Sequence, residues 1–325
     1  MRKRRISLKD IANELHLSVS TVSRALRNVG EVNPETRKAV MELAMKWKYR
    51  PNPLALGLLK NRTNTIGVII PEIENYYYST VLRGMDQLAY DNGYRLISGY
   101  SNDQSSIEKE LIDEFINSGV DGLLICPAHD TTDYSHISGL IDDRIPFVLF
   151  DRDIEDLIAP KVVTDNYNAI IKVIEHLIDK KKEKIALITC LEPLSAGRHR
   201  YEAYMHAVKE YKFYSNRDYI IHGNLSITTT VEATKNLLKT EPPPDAVIAY
   251  NDTVAMVAMK VIKEHQFSIP EDIAIVGFND DPFSSFLEPA LTTIAQPAYL
   301  IGMNAFELLM KIMKERSEER RVGKE

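Results

Sequence analysis

The sequence predicts a small all-α headpiece joined to a larger α/β body, made of two doubly wound lobes with parallel sheets. Three observations carry this. Residues 1–62 place their apolar side chains at helical spacing and contain no strand-like run. From Thr65 onward, short apolar runs alternate with amphipathic stretches, the pattern of strands connected by helices. Charge divides at the same place: residues 1–62 carry 14 Lys/Arg against 5 Asp/Glu, a net of +9, whereas the rest carries 26 against 41, a net of −15. A compact basic head on an acidic body attracts phosphates at one end and repels them elsewhere.

In the head, Ser7-Leu8-Lys9-Asp10 has the form of a capping box with Asp in place of the usual Glu. Ile11, Ala12 and Leu15 then share one helical face. After a break at His16-Leu17-Ser18, Ser18 is placed to cap a second helix, Val19 to Arg27. Its Val22, Ala25 and Leu26 face inward, and Val19, Ser20, Ser23 and Arg24 face outward. Asn33-Pro34 reads as an N-cap followed by proline at the first helical position. A third helix is expected to bury Ala39, Val40, Leu43, Ala44 and Trp47. Two short helices across a tight turn, clamped by a third, make a helix-turn-helix, whose second helix enters the major groove.

The literal strings are more specific than the geometry. Ile6-Ser7-Leu8-Lys9-Asp10-Ile11-Ala12, Leu17 to Leu26, Val32-Asn33-Pro34-Glu35-Thr36-Arg37 and the exit Tyr49 to Leu58 resemble the headpiece of the LacI/GalR family of transcriptional regulators. The resemblance implies that Val19, Ser20 and Arg24 read base edges. Arg24 suits guanine and Val19 a thymine methyl. Ser18, Thr21, Ser23 and Asn28 are expected at phosphates, where contacts fix register without carrying sequence information. Residues 51–62 are expected to form the family's hinge helix, which brings Ala55 and Leu58 to the minor groove. Leu58 matches the leucine that the family wedges between base pairs. Gly57, beside that wedge, disfavours a helix by about 1 kcal/mol relative to alanine.

In the body, strands are expected at 65–70, 94–99, 122–126, 146–150, 162–164, 184–189, 219–222, 246–250 and 274–278. Helices are expected over 78–92, 107–117, 167–180, 200–211, 231–239, 253–265 and 300–314. Nine or more strands buried on both faces are better split into two lobes. The chain is expected to cross at 163–166 and to return at 291–296. Lobe 1 then takes residues 63–161 and 292–315, and lobe 2 takes 162–291, in a periplasmic-binding-protein-like fold. Arg316 to Glu325 looks like the translation of a sequencing adapter, so this tail is expected to be non-native.

Ligands of open α/β sheets bind beyond the carboxyl ends of strands. The polar and aromatic residues there are Tyr77 and Tyr78, Asp151 and Arg152, Asp165, Arg198 and Arg200, Asn251 and Asp252, and Asn279 and Asp280. Planar hydrogen-bonding groups suit vicinal hydroxyls, and aromatic faces suit sugar rings. Other roles are open: Asp165 and Asp252 also fit helix N-caps, and the tyrosines also fit the core. The family resemblance implies a ligand role for Tyr78, Arg200, Asn251 and Asn279, the last at a place often filled by Asp.

No zinc-ligand spacing, nucleophile elbow or phosphate-binding glycine motif is found, so neither an enzyme nor a cofactor or metal site is expected. Cys126 and Cys190 lie in apolar runs and are expected as buried thiols. With no signal peptide or membrane segment in the sequence, the expected location is cytoplasmic. The expected function is a repressor whose affinity for pseudo-palindromic operator DNA is set by a small effector, in the first place a carbohydrate. A homodimer is expected, with a tetramer as the larger possibility. The competing readings are control by a partner protein and a sugar-binding module without a regulatory role.

Overall fold

The computed structural model describes residues 6–49, 62–190, 195–223 and 225–322. It divides into two units, Met1–Thr63 and Asn64–Glu325, each taken by itself below.

Among its described residues the first unit has three helices: α1 (Leu8–Glu14), α2 (Val19–Arg27) and α3 (Pro34–Lys46). Each begins where its capping chemistry dictates. Ser7 and Asp10 form the reciprocal box, with Asp10 N donating to Ser7 Oγ at 3.3 Å and Ser7 N donating to Asp10 Oδ2 at 2.8 Å. Ser18 Oγ accepts from Thr21 N at 3.0 Å, and Asn33 Oδ1 accepts from Glu35 N at 2.8 Å. Caps of this kind stabilise a helix by about 1 kcal/mol each. Ile11, Ala12, Val22, Ala25, Val40 and Ala44 are buried together, with Leu15, Leu26, Leu43 and Trp47 packed at the margin. Ala39 is exposed rather than buried, because it lies beside the inward stripe of α3 that Val40 and Ala44 define. The expected hinge positions, including Ala55, Gly57 and Leu58, lie outside the described residues.

The second unit holds two five-stranded parallel sheets. Lobe 1 has the order β2-β1-β3-β4-β5, from β1 (Thr65–Ile70), β2 (Arg95–Tyr100), β3 (Gly122–Ile125), β4 (Phe147–Phe150) and β5 (Lys161–Val162). Between them run α4 (Tyr76–Asp91), α5 (Ser105–Asn117) and α6 (Ser135–Asp142). Lobe 2 continues with α7 (Asn166–Asp179), β6 (Ile185–Thr189), α8 (Ser195–Tyr211), β7 (Ile220–His222), α9 (Ile227–Leu238) and β8 (Ala246–Ile248). It closes with α10 (Asp252–Glu264), β9 (Ala274–Phe278) and β10 (Thr292–Ile294), in the sheet order β10-β9-β8-β6-β7. Helix α11 (Ala298–Val322) returns to lobe 1.

Strands such as β3 and β4 are buried along their whole length because helices cover both faces. One face of the lobe 1 sheet packs on α4 and α11, the other on α5 and α6. Helices α4 and α11 meet backbone to backbone: a Cβ on Gly84 would come within 2.2 Å of Tyr299 O, and one on Gly302 within 2.0 Å of Val81 O.

Sheet pairing keeps both crossings within the expected 163–166 and 291–296 and moves only the lobe bounds. β5 pairs with β4, so residues 161–162 belong to lobe 1; β10 pairs with β9, so residues 292–294 belong to lobe 2. The chain passes between lobes just after each of these short edge strands, which are too brief to be assigned to a sheet by pattern alone. Helix α11 runs through Val322, past the expected end at Lys314, and Arg316 Nη1 donates to Arg144 O at 2.6 Å. The Glu- and Arg-rich composition of 315–321 favours helix, whatever its origin. Helix α6 was not expected, since its eight residues begin without a side-chain cap.

Candidate DNA surface and effector cleft

On α2 the residues expected to read bases have no packing role. Val19, Ser20 and Arg24 are exposed, Val19 to 45%, and Arg24 leans back with Nε donating to Ser20 O at 3.4 Å. Ser18, besides capping the helix, shares hydroxyl hydrogen bonds with Ser20 and Thr21 at 2.7 and 2.8 Å. Thr21 and Ser23 are half-buried on the flank, and Asn28 ends the helix in the left-handed conformation at φ 55°. The result is an exposed row of short polar groups, one apolar contact and one guanidinium.

Both sheets reverse strand order at one point: between β1 and β3 in lobe 1, and between β6 and β8 in lobe 2. The crevice beyond those strand ends is the ligand position of such folds. On the lobe 1 side, Asn75 caps α4 and sets Tyr77 and Tyr78 in its first turn. Tyr77 Oη donates to Asp151 Oδ1 at 2.6 Å, and Tyr78 Oη donates to Asp151 Oδ2 at 3.1 Å. The buried Cys126 thiol lies 3.8 Å from both Tyr78 Oη and Asp151 Oδ2. Burial first, and then the Asp151 charge, push the Tyr77 phenol well above its ordinary pKa; burial does the same to Tyr78 and Cys126. All three therefore stay protonated as donors at neutral pH. Asp151 itself takes φ 64°, a left-handed turn that aims its carboxylate at α4.

Arg152 does not join this group. Its Nη1 donates to Asp103 Oδ1 at 2.5 Å and to Pro127 O at 3.2 Å, an ion pair buried within lobe 1. Burial works to raise the Asp103 carboxyl pKa, but the Arg152 charge and hydrogen bond outweigh it, and the net direction is down. Arg152 was expected at the cleft because it follows a strand; its partner, 49 residues earlier, is invisible to local reading.

On the lobe 2 side, Arg200 is only 5% exposed. Its Nε donates to Asn166 Oδ1 at 2.8 Å and its Nη1 to Tyr250 O at 2.5 Å. The guanidinium lies 3.7 Å from the Phe278 ring centroid and 4.8 Å from that of Tyr250. A cation held between rings with two nitrogens engaged is fixed in place, and Nη2 has no partner among the described residues. Its charge works to lower the pKa of the Tyr77 phenol in the other lobe, against the larger effect of burial. Arg198, one face over on α8, forms an ion pair with Glu155 of lobe 1.

Of five further expected cleft residues, all but Asp280 have a side chain with a hydrogen-bond partner among the described residues. Asn251 Oδ1 caps α10 by accepting from Val254 N at 2.8 Å. Asp252, expected beside it in the cleft, is fully buried behind the wall. It accepts from Thr293 Oγ1 at 2.6 Å, Asp281 N at 2.7 Å and Ser284 Oγ at 3.1 Å. Asp165 is the exposed N-cap of α7, accepting from Asn168 N at 3.0 Å, and that bond lowers its pKa. Asp280 is an exposed left-handed residue at φ 58°. Asn279 Oδ1 accepts from Gln296 Nε2 at 2.7 Å, and Thr164 Oγ1 donates to Gln296 Oε1 at 2.9 Å. A polar chain thus joins the end of β9 to both crossing segments. Sequence reading missed Asn166, Tyr250, Phe278, Glu155, Cys126 and Gln296. Cys126, Tyr250 and Phe278 had a local signal, each as the last residue of an expected strand, and Asn166 and Gln296 lay in the expected crossings; Glu155 had none.

Comparison with known proteins decides the family. Residues 7–52 match the bacterial regulatory proteins of the lacI family, and residues 63–324 match the periplasmic binding proteins and sugar binding domain of the LacI family. The chain belongs to the LacI family. Catabolite control protein A of Priestia megaterium is 30% identical over 95% of this chain and 93% of its own length. The repressor CytR of Escherichia coli K12 is 31% identical, over 95% and 90%. Among solved structures, the lac repressor dimer bound to operator and the anti-inducer ONPF superposes with a TM-score of 0.84 at 23% identity, covering 96% of this chain and 94% of that one. The cellobiose complex of the regulator CelR gives 0.70 at 25% identity, with the same coverages. This LacI-family chain is a DNA-binding transcriptional regulator. Among its described residues, no helix is long and apolar enough to cross a membrane, and no group of His, Cys, Asp or Glu could hold a metal ion.

Proposed function

We propose that this regulator is a repressor whose grip on a pseudo-palindromic operator is set by a small carbohydrate-type effector bound between the lobes, and that it acts as a homodimer in the cytoplasm. One headpiece covers one half-site, so two subunits match a palindrome. Base reading falls to Val19, Ser20 and Arg24. The observation that carries the effector reading is Arg200, buried beyond the strand ends of lobe 2 and fixed between two rings, with Nη2 unpartnered among the described residues. A ligand with hydroxyl groups can accept from Arg200 Nη2 and from the Asn251 side-chain amide, and can donate to Asp151. Sugar-bound relatives of the same fold support the ligand class. Closure on such a ligand alters the Asn279–Gln296–Thr164 chain at the crossing, and coupling of this kind is typically about 1–3 kcal/mol.

The test is a melting screen of the full chain against sugars, sugar phosphates, nucleosides and purine bases. A ligand at about 100 times its dissociation constant stabilises by about 2.7 kcal/mol, a shift of several degrees. The hit is expected to vanish in Arg200→Ala and to change operator affinity. A protein that melts cooperatively, binds operator and shows no hit would overturn the small-molecule reading in favour of a protein partner.

A further inference from the structure

We propose that lobe 2 holds a second ligand site, at the opposite end of its sheet from the cleft, for a compact apolar molecule that carries one carboxylate. The site is a pocket of about 390 Å³, within the size range of small-molecule sites. Four elements place it. It is lined by the start of β9 at Ala274, the approach to β10 at Pro289, the last turn of α7 at His176 and the middle of α10 at Met259. The cleft ends of the same elements, at Phe278, Gln296, Asp165 and Asn251, are not among its lining residues. The pocket shares no residue with the cleft.

Its deep wall is apolar. Leu177, Met259, Val276 and Leu291 line it and are at most 8% exposed. Ile269 and Pro270 close one side, fastened to the end of α7 by Lys182, whose Nζ donates to Pro270 O at 2.8 Å and to Glu271 O at 3.0 Å. On the open side, beside the edge strand β10, Ala290 and Thr292 are exposed. An apolar occupant removes this wall from water, and each Å² covered stabilises by about 25 cal/mol.

Charge selects the head group. His176 and Lys180, one turn apart at the end of α7, both line the pocket. Neither side chain has a hydrogen bond or ion pair among the described residues. Glu271 is the acid of the lining, against the ammonium groups of Lys180 and Lys182. Its neighbour Asp272 is turned into its own loop, accepting from Ser268 N at 2.7 Å. The carbonyl end of a helix disfavours an anion, but here the backbone closes it: Lys180 N, Lys181 N and Lys182 N donate to His176 O, Ile178 O and Leu177 O. With His176 neutral, two cations face one carboxylate, and a second carboxylate balances them. A charge-assisted hydrogen bond from Lys180 to that group is about twice as strong as a neutral one.

The experiment measures binding to the full chain by calorimetry and melting, using benzoate, phenylacetate and isovalerate, each beside its neutral amide, with acetate as the acid that lacks an apolar body. At least one apolar acid is expected to bind about tenfold tighter than its amide, and acetate is expected not to bind. Lys180→Gln combined with His176→Gln is expected to erase the preference for the acid and keep a cooperative melt, since both side chains are exposed. Ala290→Trp, at the exposed mouth, is expected to abolish binding of acid and amide alike. Arg200→Ala, which alters the cleft, is expected to leave both unchanged. An acid whose binding is lost in Arg200→Ala and persists in Ala290→Trp sits in the cleft, and overturns the second site. A preference that survives the double variant, or amides that bind as tightly as their acids, overturns the carboxylate. No binding by any member overturns the proposal as a whole.

Discussion

Asp151 and Asp252 occupy matching places in the two lobes, each just beyond the carboxyl end of a strand, and they do opposite things. Asp151 follows β4 through a left-handed turn, and its carboxylate receives Tyr77 and Tyr78 at the edge of the cleft. Asp252 follows β8 as the first residue of α10, one position after its cap Asn251. Side chains on a helix tilt back toward its N-terminus, and from this position Asp252 reaches the 281–284 segment and β10 behind the wall. One acid is held at the cleft edge by two phenols, and the other fastens the loop that carries Asn279 and Asp280. Being at a strand end is thus necessary for a place in the site, but the turn that follows decides which way the side chain goes.

Removing each acid should separate these roles. Asp252→Ala strands three donors, two of them fully inside the protein, and is expected to cost about 3–5 kcal/mol. By thermal melting that is a fall of roughly 6–15 °C for a domain of this size. Asp151→Ala leaves two phenols that can turn toward cleft water, and is expected to lose well under half as much stability while abolishing the ligand-induced shift. Equal melting losses from the two variants would collapse the distinction.

A smaller effect tests whether the lobe 1 side depends on how α4 is seated. Gly84→Ala puts a methyl group 2.2 Å from Tyr299 O, where only backbone can give way. Overpacking of this sort costs about 1–3 kcal/mol. Since α4 carries Tyr77 and Tyr78, effector affinity is expected to fall with stability, while the isolated contacts of Arg200 in lobe 2 stay intact. A variant as stable as the parent, with unchanged affinity, would show that α4 and α11 can part freely.

How much of this was written in the sequence follows the range of the interactions. The three helix starts of the head were legible because Ser7 with Asp10, Ser18 with Thr21, and Asn33 with Glu35 are partners within three residues. The strands were legible because burial on both faces leaves continuous apolar runs such as Thr65–Ile70. Residues at strand ends could be named, yet their partners could not: Arg152 finds Asp103, Arg200 finds Asn166 and Tyr250, and Arg198 finds Glu155, all at separations that no window covers. The lobe bounds missed Val162 of β5 and all of β10 for the same reason, since only pairing assigns a two- or three-residue strand to a sheet.

The smallest predicted effect concerns the acid next to Asp252's loop. Asp281 is 7% exposed, and its Oδ1 has no hydrogen-bond partner among the described residues. Burial, followed by the charges of Asp252 and Asp280, pushes its pKa up to about 6 from 3.8. The folded chain therefore holds a proton there that the unfolded chain has already released. Its favourable contribution is complete below about pH 4 and is lost as pH rises through about 6. At pH 8 the buried charge costs at most about 2–3 kcal/mol by that shift, reduced by whatever water reaches the carboxylate. Asp281→Asn removes the charge and keeps the shape, so it is expected to be about 1–2 kcal/mol more stable than the parent at pH 8, with the gain fading below pH 4. Urea melts of both proteins across that range read the difference directly. A gain that is the same at every pH would mean that Asp281 ionises in the folded state as easily as in the unfolded one, and that its loop is not crowded with charge after all.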